Sequence, residues 1–194
     1  MNELFSNIKS LKKIYILVLS FIIIAIINSF FSNDEFAKKI LNLVINYIKN
    51  IKFNVLSIFL NNLKVSLFIT FGGFLLLLPT LFIGYLNFYI LGLIFNLSLK
   101  ENKLNVFLAS VLPHGIIELF AIFLSLTLGT SLFFSLIKFN YFEERKFSKV
   151  LKLSLITYIF IVLPLLFISA LIEVYITPKI IELLGIEYNL FNKF

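Results

Sequence analysis

The chain of 194 residues contains no cysteine, which excludes disulfides, thiolate metal sites and cysteine nucleophiles. It has one histidine, His114, so no site built from several imidazoles is available either. No glycine-rich phosphate loop is present, and no nucleophile-elbow pattern surrounds a serine. Charge is scarce: 14% of residues are charged and 60% are hydrophobic, with a mean hydropathy of +1.04. A soluble domain is roughly half apolar and about a quarter charged. These proportions identify an integral membrane protein. Acidic residues are fewer than basic ones, giving a net charge of +7. The lysines cluster in short segments between apolar runs, where the positive-inside rule and anionic lipid account for them. Nucleic acid is therefore not an expected partner. The lipid bilayer is one, and other membrane proteins or further copies of the chain are expected beside it.

Long apolar runs are what the sequence has instead. Ile14 to Phe31 is an 18-residue run, near the ~20 residues that cross a bilayer core of about 30 Å. No small-residue cleavage site follows it, so it reads as a retained span rather than a signal peptide. Residues 36–53 differ: Phe36, Ile40, Val44, Tyr47, Ile48 and Ile51 share one helical face, and Lys38, Lys39, Asn42, Asn46, Lys49 and Asn50 share the other. That separation marks an amphipathic helix, either lying in the membrane interface or packed against the spans. The 37-residue stretch 63–99 would make a helix about 55 Å long, so it must turn back. Pro79 and Gly84 mark the expected turn, between spans 63–82 and 85–99, with Lys64 at the start of the first. A further apolar run covers 104–137, and a last span starts at Val150 or Leu153 and reaches Ile176, carries Pro164 and ends at Pro178. The tail 179–194 is weakly amphipathic. The expected fold is thus an all-α polytopic transmembrane bundle of about five spans, a single domain over 1–194 with its core in 58–137. With an even number of crossings between them, the basic segments 1–13 and 138–152 can share the cytoplasmic side. The abundance of isoleucine, phenylalanine, lysine and asparagine suggests an AT-rich prokaryotic genome, and the expected location is the plasma membrane of such a cell.

The most informative stretch is Leu112-Pro113-His114-Gly115-Ile116-Ile117-Glu118. A proline inside a helix frees the carbonyl four residues back, here Ala109, at a cost of about 3 kcal/mol. A carboxylate at bilayer depth costs about 2.5–3.5 kcal/mol on insertion scales. His114 and Glu118 are four apart and share a helical face that extends back to Ser110 and forward to Ser125. That stripe must look into protein or water. Pro113-Gly115 is also expected to break the helix. Small residues at Gly72-Gly73, at Thr80 and Gly84, at Gly92, and at Ala121, Ser125 and Gly129 offer faces on which membrane helices approach closely. Asn87, among apolar neighbours, is expected to join the polar centre.

The order Pro113-His114-Gly115, Glu118, Ala121, Gly129, preceded by Asn61-Asn62-Leu63, Gly72-Gly73, Asn87 and Gly92, resembles the stage II sporulation protein M family of membrane proteins. The resemblance covers roughly residues 58–135. One departure is Phe88, where the family usually has glycine after the asparagine. The resemblance implies about five spans and no established enzymatic activity. Sporulating members work with a cell-wall-hydrolase complex at the engulfing membrane, others occur in non-sporulating bacteria and archaea, and some serve circular-bacteriocin production.

Three readings of His114 and Glu118 follow. They pin the helix against its neighbours, they form part of a binding or translocation path, or they act catalytically. Spacing by four is the geometry of metal-binding pairs in zinc hydrolases. A catalytic zinc needs three protein ligands, and the third would have to be Glu173, Asp34 or an amide. Glu173 can serve only if the last span packs beside the site. The expectation is therefore a non-enzymatic scaffold or translocation-path subunit with neither cofactor nor resident metal. A metal-dependent intramembrane hydrolase, or a component for export of or immunity to a peptide, stands as the alternative.

Overall fold

A computed structural model describes residues 11–49, 53–140, 143 and 145–185. Every regular element among them is helical: α1 (Lys12–Phe30), α2 (Asp34–Lys49), α3 (Val55–Phe71), a 3-10 turn (Gly72–Phe74), α4 (Leu78–Lys100), α5 (Leu104–Leu136), α6 (Phe147–Thr157), a π turn (Tyr158–Val162), α7 (Leu163–Tyr175) and α8 (Thr177–Leu183). Five segments among the described residues are long and apolar enough to cross a membrane: 12–30, 55–74, 78–100, 104–136 and 147–183. The protein is a multi-pass helical membrane protein.

The second span begins earlier than hydropathy alone places it. Asn54 is extended (φ −147°) and its side chain accepts a hydrogen bond from the Ser57 amide at 2.9 Å, the usual way an asparagine starts a helix. Lys64 consequently lies in mid-helix, not at the span's start. The turn back also moves. α3 tightens into the 3-10 turn, and the chain reverses through Leu76 and Leu77, both left-handed at φ 53° and 65°. Such a conformation costs a non-glycine residue roughly 1–2 kcal/mol. Pro79 does not break anything. It occupies the first turn of α4, where a missing N–H has no partner to lose, and Gly84 lies inside that helix. The pair of spans is thus 55–74 and 78–100, not 63–82 and 85–99.

Other proline expectations change for the same reason. α5 runs unbroken from Leu104 to Leu136 with Pro113 inside it. Pro164 sits in the first turn of α7, directly after the π turn, a register change that accommodates such a residue. Pro178 falls in the first turn of α8, so the chain bends at Ile176 and continues instead of ending. Residues 186–194 of the tail lie outside the described residues.

α2 carries Asp34 and Glu35 in its first turn, where the helix dipole favours anions. It packs on the end of α4, burying Ala37 and Leu41 with Leu93 and Leu97. Of the apolar face expected for it, Ile40 joins this contact while Phe36 is 50% exposed. The side chains of Val44, Tyr47, Ile48 and Ile51 are not among those described.

α5 is the helix on which the others are laid. Of its apolar window 67% is buried, against 28–33% for the other spans. α3 runs parallel to it and α4 and α7 antiparallel, as Gly84 against Leu126 and His114 against Glu173 show. One end of the bundle gathers the 72–77 turn and the segment after α5, with Phe74 packed edge-on to Phe147 at 6.0 Å. The other end gathers the α1–α2 and α4–α5 connections and α8.

Candidate functional site

Three helices bring a polar cluster together inside the bundle. α5 supplies His114 and Glu118 from adjacent turns, and α7 supplies Glu173. One ligand-capable atom from each of the three lies within 4.8 Å of the others. His114 Nε2 is 3.9 Å from Glu173 Oε2, and the two side chains are 15% and 26% exposed. On its other edge His114 Nδ1 meets Thr177 Oγ1 at 3.3 Å. That hydroxyl is also 3.3 Å from the Ile172 carbonyl; in the tautomer in which it donates there, it receives the Nδ1 hydrogen and Nε2 keeps its lone pair. The Asn62 side chain of α3 hydrogen-bonds Glu118. Asn61 in turn donates to Asn62 Oδ1 at 3.4 Å. Among the described residues no lysine or arginine pairs with Glu118 or Glu173. His114 lies ten residues into α5, about 15 Å from its start along the axis.

The expected members fare differently. Pro113 and Gly115 flank His114 on the continuous helix, and Gly115 is buried beside Val111. Ser110 donates to the Val106 carbonyl of its own helix, as serines in membrane helices commonly do. Asn87 donates to the Ile83 carbonyl at 2.8 Å, also within its own helix; none of its hydrogen bonds reaches the cluster. Glu173 arrives because α7 lies against α5. Asn62 and Thr177 were not expected. Asn62 stands in the segment that carries the family resemblance, but nothing local ties it to Glu118.

The small residues line helix crossings. A Cβ added at Gly92 would strike the Ser29 hydroxyl of α1, and one at Gly84 would strike the Leu126 side chain. Gly72 faces Thr80 and Pro79; Gly73 faces the Gly129 carbonyl. Gly129 itself lies under the carbonyls of Ile69 and Thr70. Thr80 Oγ1 closes this crossing by donating to the Ile69 carbonyl at 2.7 Å. Ala121 and Ser125 are fully buried, with Ser125 Oγ bonded back to the Ala121 carbonyl at 2.9 Å.

At the opposite end a second polar group is buried outside the spans. Glu143 is 4% exposed. It accepts from Ser131 Oγ at 2.6 Å and from Arg145 through the backbone amide at 3.1 Å, Nε at 2.7 Å and a terminal guanidinium nitrogen at 2.6 Å. Burial alone would raise its pKa, but the bonds from Arg145 and Ser131 outweigh it and hold the carboxyl below its ordinary value.

Residues 11–178 match the family described as Stage II sporulation protein M. The chain belongs to that family. It is also 39% identical, over 142 residues, to an uncharacterized protein of Methanocaldococcus jannaschii; the alignment covers 70% of this chain and 77% of the relative. No solved structure matches. For this stage II sporulation protein M family member, the matched region contains every residue of the cluster: Asn62, His114, Glu118, Glu173 and Thr177.

Proposed function

We propose that the protein is a non-enzymatic subunit of a membrane complex, acting as a scaffold or as one wall of a translocation path. What carries this reading is the way polar and apolar chemistry are divided. The polar cluster lies half-buried between α3, α5 and α7. The outer face offers an apolar groove of about 240 Å³ between α1, α4 and α5, lined by Ile26, Gly92, Phe95, Leu112, Gly115 and Leu119 among others. Ser110, the hydroxyl one turn from His114, is committed to its own helix, which argues against serine hydrolysis. Buried ionisable groups at membrane depth are costly and so mark function rather than filling. Interhelical hydrogen bonds in membranes return only about 0.6–2 kcal/mol each, too little to explain two carboxyl groups kept there for packing alone.

The N-terminus and the 138–152 segment belong on the cytoplasmic side in this reading. Lys12, Lys13, Lys138, Arg145, Lys146, Lys149 and Lys152 sit at that end, as the positive-inside rule asks. The cysteine-free sequence lets single cysteines at 138 and 102 be labelled from either face; equal labelling of both from outside would overturn the orientation.

For the role itself, His114→Ala in the producing cell is expected to leave the amount of inserted protein unchanged and to abolish its activity there. Native electrophoresis from mildly solubilised membranes should show wild-type protein in a particle several times larger than the 22.5 kDa chain. Migration as a lone chain, together with normal cellular behaviour of His114→Ala, sinks the reading.

A further inference from the structure

We infer that His114, Glu118 and Glu173 form a binding site for one divalent first-row transition-metal ion, zinc in the first place. The inference goes beyond the subunit reading and does not rest on it: a metal-free cluster would leave a scaffold role intact, and a lone-chain scaffold would leave the metal site intact.

The first support is direction. With Nδ1 turned to Thr177, Nε2 and one oxygen from each of two carboxyl groups converge within 4.8 Å of one another, three atoms that can each ligate a metal. A cation shared by the three draws all of them together, whereas a proton on one carboxyl group bridges only two of them. Metal-ligating histidines are oriented in this way, through a partner on the other ring nitrogen. Glu118 has a comparable support in the Asn62 amide.

Charge is the second support. No lysine or arginine among the described residues neutralises the two carboxylates. Two carboxylates, one neutral imidazole and one divalent ion sum to zero. The loaded site therefore removes the cost of anions held between apolar helices. A monovalent ion would leave a net negative charge.

Ligand type and number select the metal. One nitrogen and two oxygens with room for a water is a composition zinc accepts readily. Calcium requires six to eight oxygens and magnesium keeps most of its own water. Zinc bonds of about 2.0–2.1 Å place two tetrahedral ligands roughly 3.4 Å apart. The 3.9 Å pair of His114 and Glu173 reaches that by a small inward turn of the carboxyl group. Because the ligands come from α5 and α7, the ion would tie the fourth and fifth spans together about a third of the way into the bundle.

The experiment uses the full chain with a non-histidine tag, purified in detergent micelles, incubated with zinc chloride and desalted. Elemental analysis is expected to find one zinc per chain in wild-type protein and background levels in His114→Gln and Glu173→Gln. Thr177→Val, which removes only the support of the imidazole, should weaken binding about tenfold. Asn87→Ala should bind as wild type. Zinc, and not equal magnesium, should raise the thermal midpoint of the wild-type protein, a readout that needs no variant to fold. Cobalt should give the visible absorption of a tetrahedral nitrogen–oxygen site. Wild-type protein that is monodisperse yet retains no zinc and gains no thermal stability overturns the inference. So does a folded His114→Gln, Glu173→Gln double variant that keeps its zinc.

Discussion

Replacing Arg145 with alanine is expected to cost this bundle about 3 kcal/mol, within the range for stranding one member of a buried ion pair. Glu143 is 4% exposed, and all but one of its hydrogen bonds come from Arg145. Alanine retains the backbone donor but removes the two guanidinium contacts and their charge, leaving Ser131 as the remaining side-chain partner. The carboxylate then lies among the ends of α1, α5 and α6 without a cation. Arg145→Lys should recover only part of the loss, since an ammonium cannot present the planar fork that meets both oxygens. In the Arg145→Ala background Glu143→Gln should recover stability, because it removes the stranded charge and keeps an acceptor for Ser131. The measurement is reversible unfolding in mixed detergent micelles followed by circular dichroism. Equal stability of Arg145→Ala and wild type would mean that water reaches Glu143 freely.

The same pair sets a pH dependence. A carboxyl group whose folded pKa is depressed contributes stability that is present above its unfolded value, near 4.3, and lost as pH falls through the folded value. The wild-type advantage over Arg145→Ala should therefore be full at neutral pH and shrink on acidification, first as the stranded Glu143 of the variant, raised by burial, takes up its proton and then down to the depressed wild-type value. An advantage that grew on acidification would have the wrong sign for the bonding seen at Glu143.

Spans and site were legible to different depths. Hydropathy gave the number of candidate spans, five, because each needs an apolar run long enough to cross the bilayer core, but it misplaced the bounds of the second and third. Helical spacing put His114 and Glu118 on one face for an equally local reason. Prolines misled. Pro79 and Pro178 read as breaks, yet a proline serves in the first turn of a helix without loss, and Pro113 is carried within α5. The actual reversal at Leu76 and Leu77 has no sequence mark, since leucine is a poor choice for a left-handed turn. Glu173, Thr177 and Asn62 reach the site through helix packing, which no spacing rule foretells. A signal for Glu173 did exist: it is the one acid in the apolar run from Val150 to Ile176, and an acid there asks for a partner. Asn87 stands as the opposite case, a polar residue in an apolar run that is satisfied within its own helix.

Gly129→Val is expected to be among the most damaging single changes in the spans, costing about 3 kcal/mol, the upper range of overpacking effects. A Cβ at Gly129 meets main-chain oxygens, those of Ile69 and Thr70, and at 3.0 Å the Thr80 methyl; the Gly129 carbonyl already touches Gly73 from the other side. None of these is the free end of a flexible side chain. Relief would require α3 to move off α5, which also lengthens the Thr80 bond to the Ile69 carbonyl and loosens the level at which Asn62 reaches Glu118. Gly115 is the internal contrast on the same helix. A Cβ there meets only Val111 Cγ1, at 3.0 Å, and alanine is the better helix former by about 1 kcal/mol. Gly115→Ala should thus fold with stability equal to or above that of wild type, even though it adjoins His114. Unfolding in mixed micelles separates the two cases. Similar outcomes for Gly129→Val and Gly115→Ala would mean that the contact of α3 with α5 tolerates a spacer, and that the close approach of backbones is not what holds the central pair of helices in register.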